Sequence, residues 1–456
     1  MNNRRHGNGN SDDAATRGLG SVRSRGITTL KSPGPLPAIT GSLRRGELPH
    51  NYEAKAVGLL GIGFGLLALD RWSLATLFPS ISKDLHLNYQ DLGNLSGILA
   101  VAWGVTAIIM GRAADHVGWK KVLLPAIIGF SLMAGFAGLA TGFMALYLMR
   151  LLMGVFEGAY TPVSIAATTE ASKPQRRGLN VGIQLGCFAL IGLGFGPIIV
   201  TQILGLVHSW RWVFGILALP GLPLAYLMYR TIREPVHLSA ERPCEPALES
   251  QTWTAIFRHR NVVIGTLALV GAMSCIFVVG AIMPSYLIDY LKLSTSQMGF
   301  VTSAIGFFGA AGQVSMGAIS DHLGRKLTLN FSFALGIVFL FLLTRTGADP
   351  LRLFLFLGGL SACAFAILGL LSGPVVTEAV PMALMASAAG IPTGIAEIFG
   401  GGIMPSIAGG VAQRFGIQHT LSIGLFGLVV GLVLSFFLRE TAPKFRGSGN
   451  SPAPLI

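Results

Sequence analysis

Charge is what this chain has least of. Only 12% of its 456 residues are Asp, Glu, Lys or Arg, against about a quarter in ordinary soluble domains, while 52% are hydrophobic. Such a chain cannot cover a folded surface with polar groups, which excludes a water-soluble globular protein and leaves an integral membrane protein. Cysteine is scarce too. Cys187, Cys244, Cys275 and Cys363 show no C-x-x-C spacing, so the sequence predicts neither a disulfide framework nor a metal site. The ten-residue alternating segments of a β-barrel are missing, and apolar runs of about twenty residues stand in their place, so the spans are helical. The loops hold no Ser/His/Asp cluster, P-loop or metal motif and are too short for a catalytic domain. We therefore expect no enzyme and no cofactor. A charged segment followed by an apolar core and a cleavage site is also lacking, so no cleavable secretory signal is expected.

Glycine, by contrast, is abundant at 60 residues, which suits helices that approach closely inside a membrane. Spanning-length runs fall near residues 56–79, 93–114, 122–141, 143–169, 178–204 and 211–232, then 262–288, 297–319, 327–345, 352–378, 386–411 and 418–438. The polar interval 233–260 separates them into six and six. The predicted organisation is a disordered tail (1–54), a six-helix bundle (55–232), a linker (233–260), a second six-helix bundle (261–440) and a tail (441–456). The net charge of +13 does not imply nucleic acid, because the basic residues crowd the N-terminal tail and alternate loops. With a cytoplasmic N-terminus, about 25 of the 33 Lys and Arg residues lie inside, six outside, and Arg71 and Arg150 within the membrane. Both termini and the linker are thus expected in the cytoplasm, in a plasma (inner) membrane protein that is a monomer in the lipid bilayer.

The halves repeat. Gly111-Arg-Ala-Ala-Asp115-His116-Val-Gly118-Trp-Lys120 matches Gly317-Ala-Ile-Ser-Asp321-His322-Leu-Gly324-Arg-Lys326 at an offset of 206, and Thr169-Glu170-Ala171 matches Thr377-Glu378-Ala379 at 208. Against this apolar background the intramembrane charges stand out. Arg150 and Glu157 are seven residues apart, nearly two helical turns, and share one face of a helix. A charge at a helix centre costs about 2.5–3.5 kcal/mol on insertion scales, so this stripe is expected to line a cavity and handle an anion and a proton. Asp70, Arg71 and Glu397 complete the buried charges. Trp103, Tyr160, Gln184, Tyr286 and Gln313 are further candidates for the lining, each also readable as packing.

The duplicated Gly-x-x-x-Asp-His-x-Gly-x-Lys loop resembles the signature loop of the major facilitator superfamily, in which Arg usually stands where His116 and His322 do here. The resemblance implies an all-α fold of twelve transmembrane helices in two pseudo-symmetric bundles. It implies a gating role for Gly111, Asp115, Gly118, Lys120, Asp321 and Lys326. Leu69-Asp70-Arg71-Trp72-Ser73, the Arg150, Glu157-Gly158 and Pro162 pattern, and Trp210-Arg211-Trp212-Val-Phe214 resemble the anion:cation symporter branch, which includes sialin-like, vesicular glutamate and sugar-acid carriers. That likeness implies symport of a small organic anion with protons driven by their gradient. Arg71 would hold the carboxylate, Asp70 and Glu157 would take protons, and Arg150 would pair with Glu157 or bridge to Asp70. A planar guanidinium suits the first task because it stays charged and binds carboxylates in bidentate fashion. Where the branch often has Asn, this chain has Glu397, readable as a third proton site, a selector of a substrate hydroxyl or amine, or a neutral structural acid. A drug or solute exporter and a proton-independent anion exchanger of the same fold are the alternatives.

Overall fold

The computed structural model describes residues 52–173, 176–233, 253–381 and 384–442, with side chains except at 111–117, 253–254 and 386. Twelve long helices follow one another there. The first six are α1 (Tyr52–Leu85), α2 (Tyr89–Val117), α3 (Trp119–Ala137), α4 (Phe143–Ala171), α5 (Arg177–Val207) and α6 (Trp210–Thr231). The second six are α7 (Arg260–Tyr290), α8 (Thr295–Leu323), α9 (Arg325–Arg345), α10 (Pro350–Thr377), α11 (Ser387–Phe415) and α12 (Ile417–Phe436). Eleven of them are long and apolar enough to cross a membrane. The exception, α8, is 29 residues long but rich in Gly, Ser and Thr. It packs chiefly against α10 and α5, and a helix covered by neighbours does not need an apolar face all round. The expected tails and most of the linker lie outside the described residues, although α1 already begins at Tyr52, inside the expected 1–54 segment. The linker's end is ordered as a short 3₁₀ helix, Trp253–Arg258, that buries Ile256 against Val262, Val376, Leu384 and Ala388.

Two loops of the repeat share one backbone solution. Gly118 and Gly324 sit between helices at φ of 102° and 97°, a region where a side chain is strained, so glycine is required at both turns. The halves also repeat an irregularity. α5 passes through a π-helical segment at Phe188–Phe195 and α11 through one at Glu397–Ile403. Pro197 and Pro405 follow them at an offset of 208. A proline inside a helix lacks an N–H and crowds the carbonyl four residues earlier, and the preceding turn widens in response. Both segments lie where the halves cross, α5 against α1 and α8, α11 against α2 and α7.

The halves touch at one end and part at the other. Gly306 of α8 lies so close to Gly194 and Ala189 of α5 that any Cβ would collide, and Gly299 meets Thr201 in the same way. Further along the same two helices, Gly178, Gly182, Gly186 and Gly317 face open space. On the closed end, Tyr89 donates its hydroxyl to Asp289 at 3.0 Å, and Gln90 donates to the Ser406 carbonyl at 2.9 Å, tying α2 to α7 and α11. The contacts that tie the bundles together thus cluster at the end opposite the duplicated loops.

Candidate functional site

At mid-length of α1, consecutive residues face different partners. Adjacent positions on a helix diverge by about 100°, and Asp70 and Arg71 use that divergence. Arg71 points to the second half, where its Nη2 donates to the Glu397 carboxylate in an ion pair between α1 and α11. Both side chains are buried, at 7% and 5% exposure. Three aromatic rings surround the guanidinium: Phe277 of α7 at 4.9 Å, Trp103 of α2 at 5.8 Å and Trp72 at 6.0 Å from ring centre to Cζ. Such rings offer their negative faces to a cation. Asp70 points into the first half, within electrostatic reach of Glu157 and Arg150.

α4 contributes the second layer. Arg150 donates to the Arg71 backbone carbonyl at 2.9 Å, so its contact there is with α1 backbone rather than an ion pair with Glu157 or Asp70. Glu157 lies within electrostatic reach of Arg71, Arg150 and Glu397. Asp70 and Glu157 are wholly buried, and none of their four carboxylate oxygens has a hydrogen-bond partner among the described residues; Arg150 Nη2 is likewise unpartnered. Buried polar atoms are nearly always satisfied, so this group of orphaned atoms marks a place where charge or protons are handled. Gly154 and Gly158 let α4 approach this close, since a Cβ at either would strike the α2 backbone at Leu99 or Trp103.

Trp103 hangs on this frame through a hydrogen bond from its indole to Thr161 at 3.2 Å, and Thr161 in turn donates to the Glu157 carbonyl at 2.9 Å. The structure thus gathers Asp70, Arg71, Trp103, Arg150, Glu157 and Glu397. Tyr160 is elsewhere, fully buried against Phe130 and donating to the Leu60 carbonyl. Gln184 donates to Ser164 at 2.9 Å, Gln313 packs on Gly369 of α10, and Tyr286 stacks with Tyr290 at the closed end of α7. Trp72 and Phe277 escaped the sequence reading. They occupy equivalent positions at an offset of 205 and pack across the halves with tilted rings whose centres are 5.5 Å apart, so the repeat itself was the signal.

The duplicated loops show a shared task within each half. Lys120 donates to the Tyr229 carbonyl at the end of α6 (3.0 Å), and Lys326 to the Phe436 carbonyl at the end of α12 (2.7 Å). A cation at a helix C-terminus satisfies free carbonyls and meets the negative end of the dipole. Gly111 and Asp115 lie in the last turns of α2, where the described structure is backbone only. In the second half Asp321 pairs with Arg325, which also pairs with Glu378 at 3.1 Å. Glu440 accepts the Arg325 and Lys326 backbone N–H groups at 2.9 and 3.1 Å, capping α9. Burial pushes the Glu440 carboxyl up, but bonds from the backbone N–H groups of Ala442, Arg325, Lys326 and Thr441 outweigh this and hold it below its ordinary value. The Trp210-Arg211 element is structural: Arg211 joins Asp84 at the end of α1 (2.9 Å) to the Ala140 carbonyl beyond α3 (2.7 Å).

The sequence profile described as Major Facilitator Superfamily matches residues 60–393 and 265–455. A hexuronate transporter of Bacillus subtilis strain 168 is 26% identical over 57% of this chain and 62% of its own length. A probable L-galactonate transporter of Escherichia coli K12 is 26% identical over 63% of this chain and 66% of its own length. The matched stretch therefore spans somewhat less than two thirds of either relative. Among solved structures, a bacterial homologue of the human lysosomal transporter Spinster, inward-facing and unoccupied, superposes with a TM-score of 0.72 at 17% identity, covering 85% of this chain and 97% of that one.

Proposed function

The chain belongs to the Major Facilitator Superfamily, and from that premise we propose that it is a secondary active transporter that carries a small organic anion together with protons. The observation that carries this reading is the buried Arg71 guanidinium at the junction of the halves, set beside two buried carboxyls, Asp70 and Glu157, that have no hydrogen-bond donor among the described residues. A guanidinium in a dry, aromatic setting binds a carboxylate strongly, and unpartnered acids are the groups a proton occupies. Anion and proton then favour each other. A bound anion offsets the field of Arg71 and Arg150 at Glu157 and Asp70, so those groups take protons more readily, and linkage makes the effect reciprocal. A site whose charges are balanced crosses the alternating-access cycle at lower cost than an unbalanced one.

The likeness to a hexuronate transporter and a probable L-galactonate transporter directs the choice toward hydroxylated monocarboxylates. The positive-inside rule supports a cytoplasmic position in the inner membrane for the duplicated loops and both termini, with the tied end of the bundles facing outward. The protein acts as a carrier rather than an enzyme, with the proton gradient in place of a cofactor. Reconstitution in liposomes tests the proposal: D-galacturonate, L-galactonate, benzoate and succinate are offered with and without an imposed pH gradient. Uptake of at least one acid, accelerated by an inward proton gradient, is the expected result. Uptake indifferent to the gradient for every transported acid leaves anion exchange in place of symport, and uptake of none overturns the anion reading.

A further inference from the structure

The ion pair between Arg71 and Glu397 joins two elements that must both belong to any binding site between the halves. Glu397 presents to Arg71 the same functional group that a carboxylate substrate presents. It does so from a fixed base. Glu397 is the first residue of the π segment, and the glycines behind it leave no slack. A Cβ at Gly400 would meet Val270, Met273 and Ser274 of α7, and one at Gly402 would meet Val101 of α2.

Resting on the anion-transport reading above, we infer that Glu397 is a tethered competitor for the substrate's carboxylate at Arg71, and that the anion binds by displacing it as Glu397 takes up a proton. The neighbourhood leaves no other outcome for the displaced group. The charged groups within its electrostatic reach are Arg71 from α1 and Glu157 from α4, and Asp70 and Arg150 lie behind them around Glu157. α2 and α7 offer Trp103, Met273, Ser274 and Phe277, none of them a cation. Arg150 is held on the Arg71 carbonyl beside Asp70 and Glu157. A carboxylate that loses its cation in a buried site is neutralised rather than left bare. At the Arg71–Glu397 pair, binding then adds one monoanion and one proton, and the charge of that pair is unchanged. The neutral Glu397 becomes a hydrogen-bond donor facing the bound acid, which favours substrates that carry a hydroxyl near the carboxylate.

Two consequences separate this role from a structural pair. Over the range in which Glu397 is ionised, affinity for the anion falls about tenfold for each pH unit. Substituting Glu397→Gln supplies the neutral form permanently, so it removes one proton from the binding reaction and flattens that slope. The test uses the full-length purified protein and isothermal titration of D-galacturonate and L-galactonate in buffers of different ionisation enthalpy, from pH 6 to 8. Wild type is expected to take up one more proton per anion than E397Q, and E397Q to bind more tightly than wild type at pH 8. Equal proton uptake and equal slopes in the two proteins overturn the proposal while leaving anion transport standing; absence of binding and uptake in wild type overturns both. Should E397Q fail to yield a monodisperse protein, Glu397→Asp decides. Its carboxyl is withdrawn by one methylene, so it is expected to keep the proton and bind the anion more tightly at pH 8, and weaker binding there overturns the proposal.

Discussion

The two halves share a fold and divide the chemistry unequally. At the repeat's offset of 205, Asp70, Arg71 and Trp72 of the first half correspond to Cys275, Ile276 and Phe277 of the second, and at 208 Arg150 and Glu157 correspond to Gly358 and Phe365. Four intramembrane charges on one side thus face a thiol, two apolar side chains and a glycine on the other. The aromatic pair survives in both. The second half adds an acid from a different helix, Glu397, where the first half has Ala189 at the offset of 208 in the matching π segment. Symmetry in such a carrier belongs to the hinge-like scaffold, and asymmetry belongs to the cargo. On the proposed transport reading, helices must exchange contacts evenly for the site to open on either side, whereas one anion needs one cation to hold it.

Removing charge from the first half should therefore have the largest effect. Arg71→Gln takes away the anion's cation and strands Glu397, and truncating one partner of a buried charged pair costs about 2–5 kcal/mol, so initial uptake should fall on the order of a hundredfold or more. Near-normal uptake in the liposome assay removes Arg71 from the site. Glu157→Gln is the next strongest. It should leave counterflow exchange within about threefold of wild type while accumulation driven by a pH gradient falls roughly tenfold or more, because only net movement needs the proton. Intact accumulation reduces Glu157 to a packing residue.

On the second half the effects should be smaller and of a different kind. Phe277→Leu deletes a ring 4.9 Å from the guanidinium, a contact of about 0.5–2 kcal/mol, so KM should rise by roughly two- to thirtyfold with the proton dependence untouched. A changed pH profile shows that the ring tunes protonation and blurs the contrast. Least of all, Glu440→Gln should weaken the cap on α9 by about 0.5–2 kcal/mol without altering transport. Glu440 titrates below its ordinary value of 4.5 in the folded protein, so its contribution is present above that value and fades as pH falls through the lowered one. Thermal unfolding followed between pH 3 and 7 should show the variant losing stability at the upper end and converging on wild type at the lower.

Most of the architecture was legible because hydropathy and internal repetition are properties of the chain itself. The twelve runs, the six-and-six division and the buried charges all follow from apolar length and from two offsets. The pairing of the charges was not. Arg71 and Glu397 are 326 residues apart, and no local rule couples them. Arg150 was expected to pair with Glu157 or bridge to Asp70, but its contact on α1 is a backbone carbonyl that no side-chain pattern announces. Lys120 and Lys326, to which the family resemblance gives a gating role, make described bonds that cap helices within their own half. Sequence spacing reports which residues share a face, and packing decides which face they meet.

The paired π segments separate the scaffold from the acid. Both halves have a widened turn followed by proline, and only the second carries a carboxyl on it, so the turn forms with Ala189 as it does with Glu397. Position 397 is thus a pedestal on which a carboxylate can be fitted or removed without rebuilding the helix beneath it.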